Sequence, residues 1–180
     1  MGEEASEDND YIANTQSAWD SDWAESFGGV DDPENREGWY PTGFIPEENP
    51  FYVALPYSDY NPSGRKSNLE IIPWYQEGTQ EGTSLIKNRW VKITYRGKSC
   101  FAQWENVGPY ESDDVDYVFG TSKPKNTYGL KAGIDVSPAV KDCLDLPSGR
   151  RVDWQFADDE EVPIGPWNEI VTTSAPNWRH

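Results

Sequence analysis

Histidine and cysteine are nearly missing from this chain of 180 residues, which has two cysteines and a single histidine, the last residue His180. With no other histidine and no Cys-x-x-Cys pair, the sequence excludes histidine-rich metal sites, Ser-His-Asp triads and Cys-His pairs. We therefore expect no metal site and no cofactor. Cys100 and Cys143 are too few for a disulfide scaffold. They form either one bridge in an oxidising compartment or two free thiols.

Basic residues are also scarce, and long apolar runs are missing. The 15 Lys and Arg face 32 Asp and Glu, which gives a net charge of -17. This acidity argues against binding to nucleic acid and against docking on anionic membranes. No run approaches the roughly 20 apolar residues of a membrane-spanning helix. The first ten residues, MGEEASEDND, lack the basic start and apolar centre of a signal peptide. The chain is thus either cytoplasmic or exported by a signal outside these residues.

The acidic residues are concentrated at the amino-terminal end. Residues 1–38 carry one basic residue, Arg36, so we predict a largely flexible tail there. One part of this segment is different, because Trp19, Trp23 and Phe27 recur every four residues. A short helix over residues 17–27 would place them in one stripe, which would pack on the chain's own domain or bind a protein partner.

The remainder of the chain, after the acidic segment, has the pattern of a β domain. Residues 39–50 form a Pro-rich connector, residues 51–174 the domain, and residues 175–180 a C-terminal tail. FYVALPY is a short strand, and RWVKITY, the RGKS turn and CFAQW predict a hairpin over residues 90–104. DYVFG, GIDV and NEIVTTS are further short strands.

One helix is predicted between these strands. Ser137 stands at its N-cap and Pro138 at its first position, PAVKDCLDL forms its body, and Gly149 ends it or the loop behind it. RVDWQF then alternates again, with Val152, Trp154 and Phe156 on one face. Many short strands and few helices predict a small, mainly β barrel.

Four stretches carry a family resemblance: WVKITYRGKSCFAQWENVGP, YVFG, GLKAGIDVSPAVKDCLDL and RVDWQFADDEEVPIGPW. Together they resemble the double-psi β-barrel domains of the rare lipoprotein A type, and most nearly a bacterial branch with a first strand like FYVALPYSD. The resemblance covers about residues 50–168. The wider superfamily includes expansins, glycoside hydrolase family 45 endoglucanases and lytic transglycosylases. It implies a six-stranded double-psi β-barrel with one or two short helices and a groove for a glycan chain.

The same resemblance implies a place for the site. Asp135 of GIDVSP falls on the Asp that lines the groove and is the general acid in the endoglucanases. Rare lipoprotein A transglycosylases carry an Asp where this chain has Asn106, with Glu105 beside it, and a histidine that is missing here. An amide at Asn106 removes a group that could transfer a proton.

Hydrolysis of a glycoside needs two carboxylates, and Asp135 is the candidate acid with Asp59 or Glu105 as its partner. The structural alternatives are that Asp135 pins the turn into the helix, while Asp59 and Glu105 are turn residues. Asn106 and several aromatic residues would bind the sugar, unless the aromatics are buried in the barrel core. These candidates are Trp74, Tyr75, Trp90, Trp104, Tyr110 and Tyr117.

Three functions remain open from the sequence. The first is an expansin-like barrel, secreted or in the cell envelope, that binds peptidoglycan or a cellulose-like glycan. The second is a glycan-cleaving enzyme, a glycoside hydrolase or lytic transglycosylase, with Asp135 as general acid. The third is a non-catalytic domain that binds a protein through residues 17–27.

Overall fold

A computed structural model describes residues 19–78 and 82–173, and the predictions of a flexible tail over residues 1–18, of a helix at residues 17–18 and of a C-terminal tail over residues 175–180 lie outside it. The fold is mainly β with short helices, as the sequence predicts. The strands are β1 (Arg36–Glu37), β2 (Tyr40–Pro41), β3 (Tyr52–Leu55), β4 (Tyr60–Asn61), β5 (Gly64–Arg65), β6 (Trp90–Tyr95), β7 (Lys98–Val107), β8 (Asp135–Val136) and β9 (Asp153–Ala157). The α-helices are α1 (Trp23–Phe27), α2 (Val115–Val118) and α3 (Pro138–Leu144), with 3₁₀ turns at Leu69–Ile71, Asp159–Glu161 and Pro166–Asn168.

The main sheet has five strands in the order β8-β3-β7-β6-β9. Strands β3 and β7 are parallel, and the other neighbours are antiparallel. Strands β8 and β9 form the two edges of this sheet, so within the described residues it has five strands rather than six. Two small hairpins, β1-β2 and β4-β5, stand apart from it.

The predicted hairpin is confirmed as β6 and β7. Its turn residues Arg96 and Gly97 both have positive φ angles, +48° and +82°. Two positive φ angles are typical of the two-residue turn whose twist suits antiparallel strands. Strand β9 pairs with the other side of β6, and its exposed residues alternate with Trp154 and Phe156, which pack on the core. The alternation predicted for RVDWQF is therefore confirmed.

The main core packs against the sheet, and α3 packs on β7. Ten buried residues of this core come from β3, β6 and β7: Val53, Leu55, Trp90, Val91, Ile93, Tyr95, Cys100, Phe101, Ala102 and Trp104. Trp167, close to the carboxyl end, belongs to the same core and packs against Phe51 and Phe101.

The aromatic stripe of the acidic segment is buried in the chain itself. Trp19, Trp23 and Phe27 are 2%, 1% and 0% exposed, although the helix covers only Trp23–Phe27. Trp23 stacks on Phe27 with ring centroids 4.5 Å apart, and both rings contact Tyr52 of β3. Trp19 reaches the main core beside Trp104, 6.0 Å between ring centroids.

A buried ion pair holds the same segment. The Tyr52 hydroxyl donates to Asp31 Oδ2 at 2.9 Å, and Arg36 pairs with the other carboxylate oxygen of Asp31. The composition predicts a flexible tail as far as residue 38. From Trp19 onward the segment instead packs on the sheet, because its few aromatic residues bury enough surface to offset the ordering of an acidic chain.

Two strand predictions are wrong in the described residues. DYVFG contributes to α2, because Val115, Val118 and Phe119 follow the i, i+3, i+4 spacing of a helix face and pack on the core. In NEIVTTS, the residues up to 173 form the end of a 3₁₀ turn and irregular chain. They are held by Thr172, whose hydroxyl accepts from Asn49 N at 2.8 Å and whose N–H donates to Gln103 Oε1.

The start of α3 matches its prediction. Ser137 Oγ accepts from Val140 N at 3.3 Å as the N-cap, and Pro138 occupies the first helical position. The helix ends at Leu144 with Asp145 in the left-handed conformation, so Gly149 belongs to the loop behind it. Because β8 directly precedes Ser137, the cap fixes how the chain passes from Asp135 into the helix.

Candidate functional site

Asp135 lies in a row that crosses three strands. It is exposed on edge strand β8 and pairs with Ala54 of β3, which in turn pairs with Asn106 of β7. Residues opposite one another on neighbouring strands share a face of the sheet. The backbones of Asp135 and Asn106 are therefore two strand spacings apart, which is about 10 Å. Ala54 is the residue between Asp135 and Asn106 in this row.

A β-bulge decides which residue of β7 enters this row. The pairing passes from Val53 with Trp104 directly to Ala54 with Asn106, so Glu105 is the extra residue. Asn106 is 6% exposed, and its Oδ1 accepts from Val107 N at 2.7 Å. Its carbonyl oxygen accepts from Trp104 Nε1 at 2.7 Å. These contacts make Asn106 a residue that shapes the end of β7.

Glu105 belongs to a buried cluster of charges. It is 1% exposed, and its Oε2 lies 3.7 Å from Lys87 Nζ, which is itself 3.4 Å from Glu48 Oε1. Burial is the main reason that the pKa of Glu105 is raised to about 8. The Glu48 carboxylate raises this pKa further, whereas Lys87 and Thr172 lower it. The position is therefore not the solvated turn that the sequence offered as the alternative.

Asp59 is completely buried and holds a loop. Its Oδ1 accepts from Ser84 Oγ at 2.8 Å and its Oδ2 from Leu85 N at 2.7 Å. Ser84 Oγ in turn accepts from Ile86 N and Lys87 N. Burial raises the pKa of Asp59, against these hydrogen bonds. The structural alternative is a turn residue, and the backbone carbonyl of Asp59 does accept from Lys66 N at the base of the β4-β5 hairpin, but its carboxylate joins this turn to a distant part of the chain.

Most of the predicted sugar platforms lie in or against the core. Trp90 and Trp104 are buried, and Trp74, Tyr75 and Tyr117 are partly buried against the core. The Trp74 indole donates to Leu85 O at 2.6 Å, and the Tyr117 hydroxyl accepts from Trp154 Nε1 at 2.8 Å. Tyr110 differs from them, because it is 57% exposed.

Tyr110 forms an exposed pair with Tyr128, which the sequence analysis missed. The ring centroids are 5.7 Å apart with planes inclined by 36°, and Tyr128 is 63% exposed. The turn residues of KNTYGLK gave a signal only for a loop. Within that loop, Asn126 Oδ1 accepts from Tyr128 N at 2.8 Å and its amide donates to Ala132 O. The side chain of Asn126 thus fixes the loop that presents Tyr128.

The topology places this tyrosine pair beside the row of Asp135. Strands β3 and β7 are parallel, so β7 ends, and the segment with Tyr110 begins, where β3 also ends. Strand β8 is antiparallel to β3, so the loop that carries Tyr128 enters the sheet from the same end. Asp135, Tyr110 and Tyr128 therefore share one end of the sheet. This end combines an exposed carboxylate with two exposed rings.

The described residues also form a cleft that is lined by other side chains. A cleft of about 720 Å³ lies between the β1-β2 hairpin and residues 169–170, lined by Tyr40, Phe44 and Ile45 with Glu169 at its side. In residues 19–78 and 82–173, no three His, Cys, Asp or Glu side chains are grouped to hold a metal ion. The helices of this part of the chain are all too short or too polar to cross a membrane.

Comparison with known proteins finds no match that would indicate the function of this site. The chain matches no protein-family model, no curated protein and no solved structure. The resemblance to rare lipoprotein A barrels therefore stays a prediction from the sequence. The site has to be interpreted from its own side chains.

Proposed function

We propose that this chain binds a polysaccharide at the end of the main sheet where Tyr110, Tyr128 and Asp135 lie, and that it does not cleave it. The exposed tyrosine pair is the observation that carries the proposal. Two adjacent rings with 57% and 63% of their surface open to solvent are unusual for side chains that normally bury most of their area. Their flat apolar faces suit the C–H faces of sugar rings.

Asp135 would supply the polar contact. An exposed carboxylate accepts hydrogen bonds from sugar hydroxyls, and these neutral hydroxyls bring no charge that conflicts with the net charge of -17. We propose further that the five-stranded sheet belongs to a double-psi β-barrel of the expansin-like kind. A secreted or cell-envelope location and a peptidoglycan or cellulose-like ligand form part of the same proposal.

The arrangement of the carboxylates favours binding over hydrolysis. A hydrolase needs a second carboxyl group within about 5 to 9.5 Å of the first. Asp59 and Glu105, the partners that the sequence suggested for Asp135, are both buried, the former in its loop and the latter beside Lys87. Asn106, the residue in the row of Asp135, carries an amide. The roles available to Asp59 and Glu105 are therefore structural.

The proposal is tested by co-sedimentation of the purified chain with insoluble peptidoglycan and with cellulose, followed by titration with soluble fragments of the polymer that retains it. Each tyrosine ring covers roughly 60 Å² of apolar sugar surface, worth about 1.5 kcal/mol at 25 cal/mol per Å². Tyr110→Ala and Tyr128→Ala should then each weaken binding about tenfold. Tyr128→Phe keeps the ring and should bind almost as the wild type does.

Ile164→Ala is the matched control, because Ile164 is fully exposed and belongs to the loop after β9. Its binding should equal that of the wild type. If neither polymer retains the chain, or if the tyrosine variants bind as well as the control does, the proposed site is wrong. Release of soluble sugars by the wild type but not by Asp135→Asn would instead establish the glycan-cleaving function.

A further inference from the structure

Cys100 and Cys143 meet where α3 packs on β7. Cys100 is on β7 and is completely buried, whereas Cys143 is on α3 and only partly buried. The helix packs directly against the strand, and the two thiols lie near enough to affect each other's pKa. Neither cysteine is part of a disulfide in the structure. Two neighbouring thiols on two packed elements are a starting point from which a disulfide forms.

The two sulfur atoms are chemically unequal. The neighbouring Cys100 thiol lowers the pKa of the Cys143 thiol, partial burial raises it, and the ammonium group of Lys98 lowers it further, with a lowered pKa as the result. Burial and the neighbouring Cys143 raise the pKa of Cys100, so it keeps its proton. Asp145, which pairs with Lys98, opposes part of this effect on Cys143. The more accessible sulfur is thus also the better thiolate, with a second thiol beside it.

We propose that Cys100 and Cys143 are a redox modification site, at which a small disulfide such as oxidised glutathione converts the two thiols into a reversible bridge between β7 and α3. The Cys143 thiolate attacks one sulfur of the oxidant, so that a mixed disulfide forms and one glutathione thiolate leaves. The Cys100 sulfur then attacks the Cys143 sulfur, and its proton passes to the second glutathione as that thiolate leaves. Two protein thiols are oxidised, and one oxidised glutathione is reduced to two thiols.

The bridge would fix α3 against the sheet. The helix follows β8 directly at its Ser137 cap, and Cys143 lies in its last turn, so the bridge would secure the end of the helix opposite the cap. The inference uses only the two cysteines and their neighbours. It holds whether or not a glycan binds at Tyr110 and Tyr128.

The experiment treats the purified full chain with oxidised glutathione. Free thiols are then counted with Ellman's reagent after denaturation, and the mass is measured without a reductant. The wild type should lose both thiols and the mass of two hydrogen atoms, remain monomeric, and melt roughly 10 °C higher, because the bridge closes a loop of about 40 residues. Dithiothreitol should reverse all of these changes.

Two variants separate the roles of the sulfurs. Cys100→Ala should retain one glutathione on Cys143, since no second thiol can displace it. Cys143→Ser should stay unmodified while folded, because Cys100 is 0% exposed. If Cys100→Ala fails to melt cooperatively, the Cys143→Ser result still decides the order of attack. Persistent glutathione on the wild type, dimers linked through cysteine, two thiols that still titrate, or a bridge that leaves the melting temperature unchanged would each overturn the proposal.

Discussion

Replacement of Glu105 by Gln should remove a large part of the pH dependence of stability. The carboxyl group of Glu105 is 1% exposed, and its pKa rises from 4.5 to about 8 on folding. Between these two pH values the unfolded chain has released the proton that the folded chain still holds. Folding stability therefore falls as the pH rises through this window. Above about pH 8 the contribution of Glu105 to stability no longer changes with pH.

The size of the effect follows from the same two values. At about 1.4 kcal/mol for each pH unit, the rise from 4.5 to about 8 corresponds to about 5 kcal/mol. Gln is neutral and close in shape to a protonated Glu, so E105Q avoids this loss. At about pH 5 the variant and the wild type should be nearly equally stable, and near pH 9 the variant should be more stable by up to about 5 kcal/mol.

Urea unfolding between about pH 5 and pH 9, followed by tryptophan fluorescence, measures the difference. E48Q should narrow the pH window, because the Glu48 carboxylate raises the pKa of Glu105. D113N is the control, since Asp113 lies in an exposed pair with Lys66, and its stability should follow the wild-type pH profile. Parallel profiles for E105Q and the wild type would refute the assignment of a neutral, buried Glu105 below pH 8.

Three further substitutions test the contacts that position the candidate site. Trp23→Ala should destabilise the chain by about 3–5 kcal/mol in urea unfolding, because Trp23 is 1% exposed and packs against Tyr52. A loss of under about 1 kcal/mol would mean that the acidic segment from Trp19 onward is not part of the fold. Asp59→Ala leaves the Ser84 hydroxyl and the Leu85 N–H without their acceptor, so the free energy of unfolding in urea should fall by about 2–4 kcal/mol. A stability equal to that of D113N would contradict the role of Asp59 as a buried acceptor. Ser137→Ala removes the N-cap of α3 and should cost about 1 kcal/mol in thermal unfolding, whereas Ser137→Gly should cost only a few tenths.

The features that the sequence predicts correctly depend on short stretches of chain. The hairpin follows from alternation within RWVKITY and from its tight turn, and α3 follows from Ser137 and Pro138 at its start. The strand prediction for DYVFG is wrong because five residues fit a strand and a helix turn equally well. The core that Val115 and Phe119 meet decides between the two, and it lies far away in the sequence.

The residues of the candidate site can likewise be predicted only where the signal is local in the sequence. The GIDVSP stretch is enough to single out Asp135, and the structure places this residue on an exposed edge strand. Burial of Trp90 and Trp104, and exposure of Tyr110 and Tyr128, depend on which elements pack together, and a tyrosine in a loop gives no local sign of this. The packing of Trp23 on Tyr52 likewise joins residues that are 29 positions apart.

The bulge in β7 determines whether the carboxylate of Glu105 lies in the same row as that of Asp135. If β3 and β7 paired without the bulge, Ala54 would pair with Glu105, and the Glu105 carboxylate would enter the row that begins with Asp135. Two carboxylates would then stand on one face across a single alanine. The bulge at Glu105 instead brings the amide of Asn106 into the row and leaves Glu105 next to Lys87, where burial keeps it neutral up to about pH 8. One extra residue thus separates the charges that hydrolysis would need to bring together, which is why we propose that the exposed tyrosine pair serves a chain that binds sugar without cleaving it.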